Sequence, residues 1–306
     1  MPQRRLATLL AALAICAATA LPVTALPYER LAKAHPPVVE TGAQEFRPAA
    51  DGEYVAWMAN TPGRPNHFNA YFSQGGADPQ RVNPPGTQGW TGGVEGTVLV
   101  YTEATAQGED LVMYDMASDT TTPLPDGVNT GRIEHNASIS GDYLLFDRDR
   151  FTRRRAVERI VLFNTDTEEE IVLAEADSNR TYLESGQVNG NWVVYFFCRG
   201  SNCNTFRYDI MGQETTKVPN PGDLQQYSPS VSDDGTVFFV RSPPRCGHNI
   251  RFMSWDGATN PDLFLHLPEG RDSFDTFFDD SAGGSVYYER LRCRNFASDI
   301  YSEPVP

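Results

Sequence analysis

Six glycines, each followed by a short apolar run, recur along the chain at nearly even spacing. They are Gly52 (EYVAW), Gly96 (TVLVY), Gly141 (DYLLF), Gly190 (NWVVY), Gly235 (TVFFV) and Gly284 (SVYYE), at intervals of 44, 45, 49, 45 and 49 residues. A glycine in a tight turn followed by β-branched and aromatic residues reads as a hairpin entering a strand. A repeat in the forties restricts the chain to an array of small units that bury their faces only against one another. With four short strands per unit, the expected architecture is an all-β, six-bladed β-propeller with four-stranded antiparallel blades. The clearest unit is Ser228–Val240, SPSVSDDGTVFFV, with a polar start, an Asp-Asp-Gly turn and an apolar run.

The runs support face-to-face stacking. Val98-Leu99-Val100, Tyr143-Leu144-Leu145 and Val237-Phe238-Phe239 are apolar at consecutive positions, whereas a strand wetted on one face would alternate. The fourth strand of each unit is short, charged or flanked by proline (PQRVN, EEEIVL, TTKV), which suits an outer edge.

Residues 1–25 read as a secretory signal. Arg4 and Arg5 precede an apolar run from Leu6 to Ala20, and Val23-Thr24-Ala25 offers a small-residue cleavage site. A lipid anchor on Cys16 is the alternative, but the bulky Ile15 precedes it. Cleavage near Ala25 predicts a secreted or periplasmic protein, and no segment reads as a membrane span. Residues 26–45 contain Pro27, Pro36 and Pro37. They are expected to supply the fourth strand that the last repeat lacks, closing the ring, with residues 46–306 forming the propeller. The remaining chain of about 280 residues is enough for one large domain and is expected to be a monomer. The formal net charge of −15 becomes more negative once Arg4 and Arg5 leave. This argues against nucleic acid and anionic membranes as partners.

Cys198, Cys203, Cys246 and Cys293 remain after the signal, an even number in an exported chain. Three pairings are possible. Placement just before successive third strands favours Cys198–Cys203 and Cys246–Cys293 over a metal site, whose spacing is absent.

Function is expected on the face carrying the connections between second and third strands, read as long loops over 58–68, 102–109, 147–157, 198–205, 241–249 and 289–296. These hold twelve arginines against five acids. The candidate binding residues are Arg148, Arg150, Arg153, Arg154, Arg155, Arg245, His248, Arg290, Arg292 and Arg294, whose forks suit carboxylates and phosphates. Nine acids and three arginines in the inter-blade links bring that face to about +1, so internal pairing is the competing reading. No G-x-S-x-G or H-E-x-x-H occurs, so no catalytic residue, metal or cofactor is assigned. His67 and His248 could oppose each other across the channel. Asp272, Asp275, Asp279 and Asp280 form an acidic patch, and Asn136 and Asn179 lie in glycosylation sequons.

SPSVSDDGTVFFV, with variants such as ASISGDYLLF at 137–146, resembles the repeat of TolB-type, WD40-like β-propellers of bacterial envelopes. The resemblance spans Phe46 to Tyr301 and implies the fold and an exported compartment. The N-terminal α/β domain of TolB has no counterpart here, and no functional residues carry over. The expectation is a binding or scaffolding module recognising an envelope or extracellular protein, or an anionic ligand, through the long-loop face. The alternative is a polysaccharide lyase or hydrolase with its site in the central channel.

Overall fold

In the computed structural model the described residues are 37–61, 63–106, 108–151, 156–178, 180–222, 224–241, 251–266, 271–272, 276–279, 284–292 and 297–305. They are all-β. The first blade comprises β1 (Glu45–Asp51), β2 (Tyr54–Thr61), β3 (Arg64–Gln74) and β4 (Gln80–Arg81). The second comprises β5 (Gln88–Glu95), β6 (Val98–Ala104), β7 (Glu109–Asp115) and β8 (Thr120–Thr122). The third has β9 (Ile133–Ser140), β10 (Tyr143–Phe151), β11 (Ala156–Asn164) and β12 (Glu170–Ala176). The fourth has β13 (Thr181–Asn189), β14 (Trp192–Arg199), β15 (Asn202–Asp209) and β16 (Glu214–Lys217). The fifth has β17 (Gln226–Val231), β18 (Val237–Arg241), β19 (Arg251–Trp255) and β20 (Asp262–His266). Each of these five sheets is an antiparallel meander in chain order.

The expected six four-stranded blades are therefore corrected to five. The remaining sheet is built differently. Its two full strands are β23 (Ser285–Arg292) and β24 (Ala297–Pro304). Two short segments, β21 (Arg271–Asp272) and β22 (Thr276–Asp279), both pair with β23 and so share one lane. Among its described residues, 37–44, the N-terminal segment forms no named strand. It makes one antiparallel bridge, Val39 to Ile300. Pro37, having no N–H, cannot extend that ladder. The chain then bends, as Thr41 N donates to Glu45 Oε1 at 3.0 Å and Gly42 adopts φ +81°.

The repeat glycines set the turns. Gly52, Gly96, Gly141 and Gly190 each hold the first position of a two-residue turn with φ between 52° and 59°. A type II′ hairpin requires that conformation. The fifth blade departs from the expected tight turn. Ser232 to Thr236 form a wider one, with Thr236 N donating to Ser232 Oγ at 3.1 Å and Asp234 Oδ1 at 2.9 Å. Against this turn the Arg207 guanidinium lies between the Trp192 and Trp255 rings, 4.5 Å from each centre, and donates to Gly235 O at 2.6 Å.

Second strands are buried on both faces: Leu144, Leu145 and Phe146 are each fully buried. Leu144 and Phe146 pack on Val100 and Leu111 of the second blade, while Leu145 packs on Leu183 and Tyr195 of the fourth. The same layering joins the fifth blade to β23 and β24 through Phe238, Phe252 and Tyr288. It joins that sheet to the first blade through Ile300, Val39 and Trp57.

The connections between second and third strands are not all long. β2 and β3 stay partnered as far as Thr61 and Arg64, and β14 and β15 meet through Gly200 and Ser201. Residues 147–151 belong to β10 rather than to a loop. At the β14–β15 tip Cys198 and Cys203 are direct cross-strand partners and are disulfide-bonded. The Cys246–Cys293 pairing lies outside the described residues, as does the signal segment.

Candidate functional site

The first strand of every blade carries a bulge at the same depth. The register shifts between Phe46 and Ala49 in β1, between Thr91 and Val94 in β5, opposite Leu145–Asp147 in β9, between Ser185 and Gln187 in β13, and between Tyr227 and Ser230 in β17. The bulged residues line a cavity of ≈ 60 Å³ on the axis, room for roughly two waters. Small residues allow the approach. A Cβ on Gly92 would lie 2.4 Å from Val100 O and 2.5 Å from Ala137 O, and one on Gly186 would lie 2.3 Å from Pro229 O. Alternate strands place non-glycine residues in the left-handed region, Arg47 (φ 49°), Asn136 (φ 53°) and Ser228 (φ 46°). Such strain gathers where side chains must be re-aimed.

The re-aimed side chains form a polar network. Arg47 donates Nη2 to Glu184 Oε1 at 3.1 Å and Nη1 to Asn136 Oδ1. Asn136 Nδ2 donates to Asp147 Oδ2 at 2.7 Å, and Ser185 N to Asp147 Oδ1 at 2.9 Å. Tyr182 donates its hydroxyl to Glu184. His135 Nε2 lies 3.0 Å from Asp149 Oδ2, and its Nδ1 4.0 Å from Asp147 Oδ2. Burial pulls the His135 imidazole down, but the Asp149 hydrogen bond and the charges of Asp147 and Asp149 more than offset it, raising it to about 9. Burial pushes the Asp147 carboxyl up to about 7. Burial also raises Glu109 and Glu158, with Asp149 adding to the effect. An imidazolium between carboxylates, next to a carboxyl that titrates near neutrality, can hold and exchange a proton. Sequence reading did not single out His135. Among the described residues no group of three His, Cys, Asp or Glu is arranged to hold a metal ion.

The other side of the third blade carries arginine. One cross-strand row runs Glu134, Arg148, Arg159, Glu175 over β9 to β12. Arg148 is 4 % exposed. Its Nε donates to Glu134 Oε1 at 3.0 Å, Nη1 to Glu170 Oε2 at 2.5 Å, and Nη2 to Gly127 O at 2.7 Å and Val128 O at 3.1 Å. Arg159 Nε donates to Glu175 Oε2 at 2.7 Å. Nearer the hairpin tip, Arg150 is exposed and faces Val157. Arg132, the residue before Ile133, comes alongside it, because Ile133 partners Asp149. These arginines, Val157 and Glu175 line a groove of ≈ 200 Å³.

Of the ten candidate residues, Arg148 and Arg290 are buried within the fold rather than offered to a ligand. Arg290 is 2 % exposed, with its guanidinium 5.0 Å from the centre of the Tyr301 ring. Arg150 is exposed. Arg153, Arg154, Arg155, Arg245, His248 and Arg294 lie outside the described residues, as does the side chain of Arg292. His67 bonds Thr61 Oγ1 at 3.0 Å, and its expected counterpart His248 lies outside the described residues. The acidic patch at 272–280 has no described side chains. The Asn136 sequon is spent, since that amide is held by Asp147 and Arg47.

No protein-family model matches the chain, and no curated protein sequence matches it. Solved structures do. The β-propeller domain of the Trilobed protease from Pyrococcus furiosus, described as having an open velcro topology, superposes with a TM-score of 0.55 at 12% identity over 86% of this chain and 94% of that one. A putative TolB from Agrobacterium tumefaciens gives 0.57 at 14% identity over 88% and 93%. TolB from Acinetobacter baumannii gives 0.55 at 12% over 82% and 65%. The fold is that of the TolB-like β-propellers.

Proposed function

We propose that this chain is an exported propeller that binds a partner bearing anionic groups, through the face that carries the hairpin tips and inter-blade links. The observation behind this reading is the pair of arginines, Arg132 and Arg150, exposed on that face of a chain whose formal net charge is −15. Positive charge held against the sign of the whole molecule is most simply kept for a ligand. Export rests on the signal-like residues 1–25 and agrees with the Cys198–Cys203 disulfide. No described helix is long and apolar enough to cross a membrane. The test is oxidative footprinting of the protein bound to a partner captured from envelope extract. Phe151 and Tyr182, exposed at the hairpin-tip end of β10 and β13, should be protected. Met211, 87% exposed in the turn after β15, reports the opposite face. Protection of Met211 alone would overturn the assignment.

The His135 network favours a second reading, acid–base cleavage of an acidic polysaccharide at the channel mouth. Incubation with such polymers, read by ultraviolet absorbance of unsaturated ends and by reducing ends, tests it. Cleavage that survives His135→Ala, or no cleavage of any polymer, removes this reading.

A further inference from the structure

We infer that the groove between the link at 127–132 and the β10–β11 hairpin is a subsite for one tetrahedral oxyanion, a phosphate or sulfate ester group; this rests on the anionic-partner reading above. The argument starts from register. Arg148 and Arg159 are direct cross-strand partners, and like charges so placed, about 5 Å apart at Cβ, destabilise a sheet. The fold answers with acids at both ends of the row, Glu134 beyond Arg148 and Glu175 beyond Arg159, and with Glu170 on Arg148. That row is complete.

The next row towards the solvent is not. It places Arg132 beside Arg150 and Arg150 opposite the neutral Val157, and its one acid, Asp177, follows Ala176 on the far side of Val157. No hydrogen bond or ion pair engages either guanidinium among the described residues. Among the described residues the terminal amino groups of Arg159 are also unengaged, since only its Nε meets Glu175. Among the described lining residues and the acids bonded to them, four guanidiniums face three carboxylates. The missing negative charge belongs where Arg132, Arg150 and the end of Arg159 converge on the groove. Two complete forks and part of a third suit an anion with three free oxygens better than a carboxylate, which one fork satisfies. The groove of ≈ 200 Å³ would hold roughly six waters, enough for such a group with its first linking atoms.

Calorimetric titration of the full chain with inorganic phosphate, sulfate and acetate in low-salt buffer tests the assignment. Phosphate and sulfate should bind more tightly than acetate and raise the melting temperature. Arg132→Gln and Arg150→Gln should each weaken binding by about tenfold or more. Arg150→Lys should fall between them and the wild type, and the remote Arg81→Gln should bind as the wild type does. Unchanged urea midpoints confirm that the glutamine variants fold. No phosphate or sulfate binding at tens of millimolar, binding unaffected by both glutamine substitutions, or acetate binding tightest would each overturn the subsite. Failure here, with Phe151 and Tyr182 still protected by a partner, leaves the face assignment standing. Phosphate binding with protection only at Met211 removes the face assignment alone.

Discussion

Arg148→Met is the substitution that best separates a binding arginine from a structural one. Arg148 is buried beside Phe146, with its guanidinium 5.1 Å from that ring centre. Methionine keeps much of the stem and removes the charge. What remains is Glu134, 0% exposed, whose Oε2 already accepts no hydrogen bond. The carbonyls of Gly127 and Val128 lose their donor as well. Breaking a buried ion pair from one side costs about 3–5 kcal/mol, and the two link carbonyls place the expected loss towards the upper end. Urea denaturation should show the midpoint falling with little change in slope. Glu134→Leu in the same chain should recover most of the loss, because an apolar pair of similar volume avoids the stranded charge. A stranded carboxylate also takes up a proton when it can, so the single variant should lose less at about pH 5 than at about pH 8. A loss under about 1 kcal/mol would mean that Arg148 is held no more firmly than a surface residue, and the closed row on which the anion subsite rests would go with it.

Gly92→Ala should destabilise by about 1–3 kcal/mol or more, since its Cβ would meet two backbone oxygens on two strands. Gly75→Ala, with open space around it, should show only the smaller cost of its positive φ in the same urea experiment. Stability should fall as pH rises from about 5 to about 9. Burial raises Asp147 and Glu45 to about 7, and the acids around His135 overcome burial to hold it at about 9. Each group binds its proton more tightly when folded. Its contribution is complete below the unfolded value and is lost as pH passes the folded one. A melting temperature that climbs between about pH 6 and pH 9 would contradict this, and Asp147→Asn should flatten the profile. Arg207→Ala should cost about 1–3 kcal/mol and shift tryptophan emission to the red, since both flanking indoles lose their cover; an unchanged spectrum would count against the stacked arrangement.

The periodic glycines were legible because each demands a backbone that other residues resist, and four of them hold equivalent turns. The blade count was not, because Gly284 announces only the strand that follows it. A blade also needs an inner lane and an outer lane. Around RDSFDTFFDD the described residues of that lane fall into two short pieces, β21 and β22, too brief for any spacing rule to announce. Connections read as long loops for a related reason: polar composition marks water on one side of a strand as readily as the absence of a strand. Arg148 was counted as loop charge when it is a strand residue facing the second blade.

The site itself turns on one inserted residue. Folding β9 onto β10 about the turn at Gly141 and Asp142 without interruption would set His135 opposite Arg148 and Glu134 opposite Asp149, two like-signed pairs. The observed ladder follows that register only as far as Leu145 and Ser138, then shifts by one, so that His135 meets Asp147 and Glu134 meets Arg148. The bulge at Asn136 and Ala137 converts two repulsions into two attractions. Along β10 the ladder to β11 is unbroken, so plain alternation keeps Asp147 on the side of Ser185 in the fourth blade and Arg148, with Phe146, on the side of the second. Both halves of the third blade's chemistry, the imidazolium network and the arginine groove, therefore follow from the same irregularity. The charges were visible in the sequence, but their signs had no partners until the register was known. The outer row keeps an excess of positive charge because Arg132 and Arg150 lie side by side, while its one acid, Asp177, which follows Ala176, sits beyond the neutral Val157.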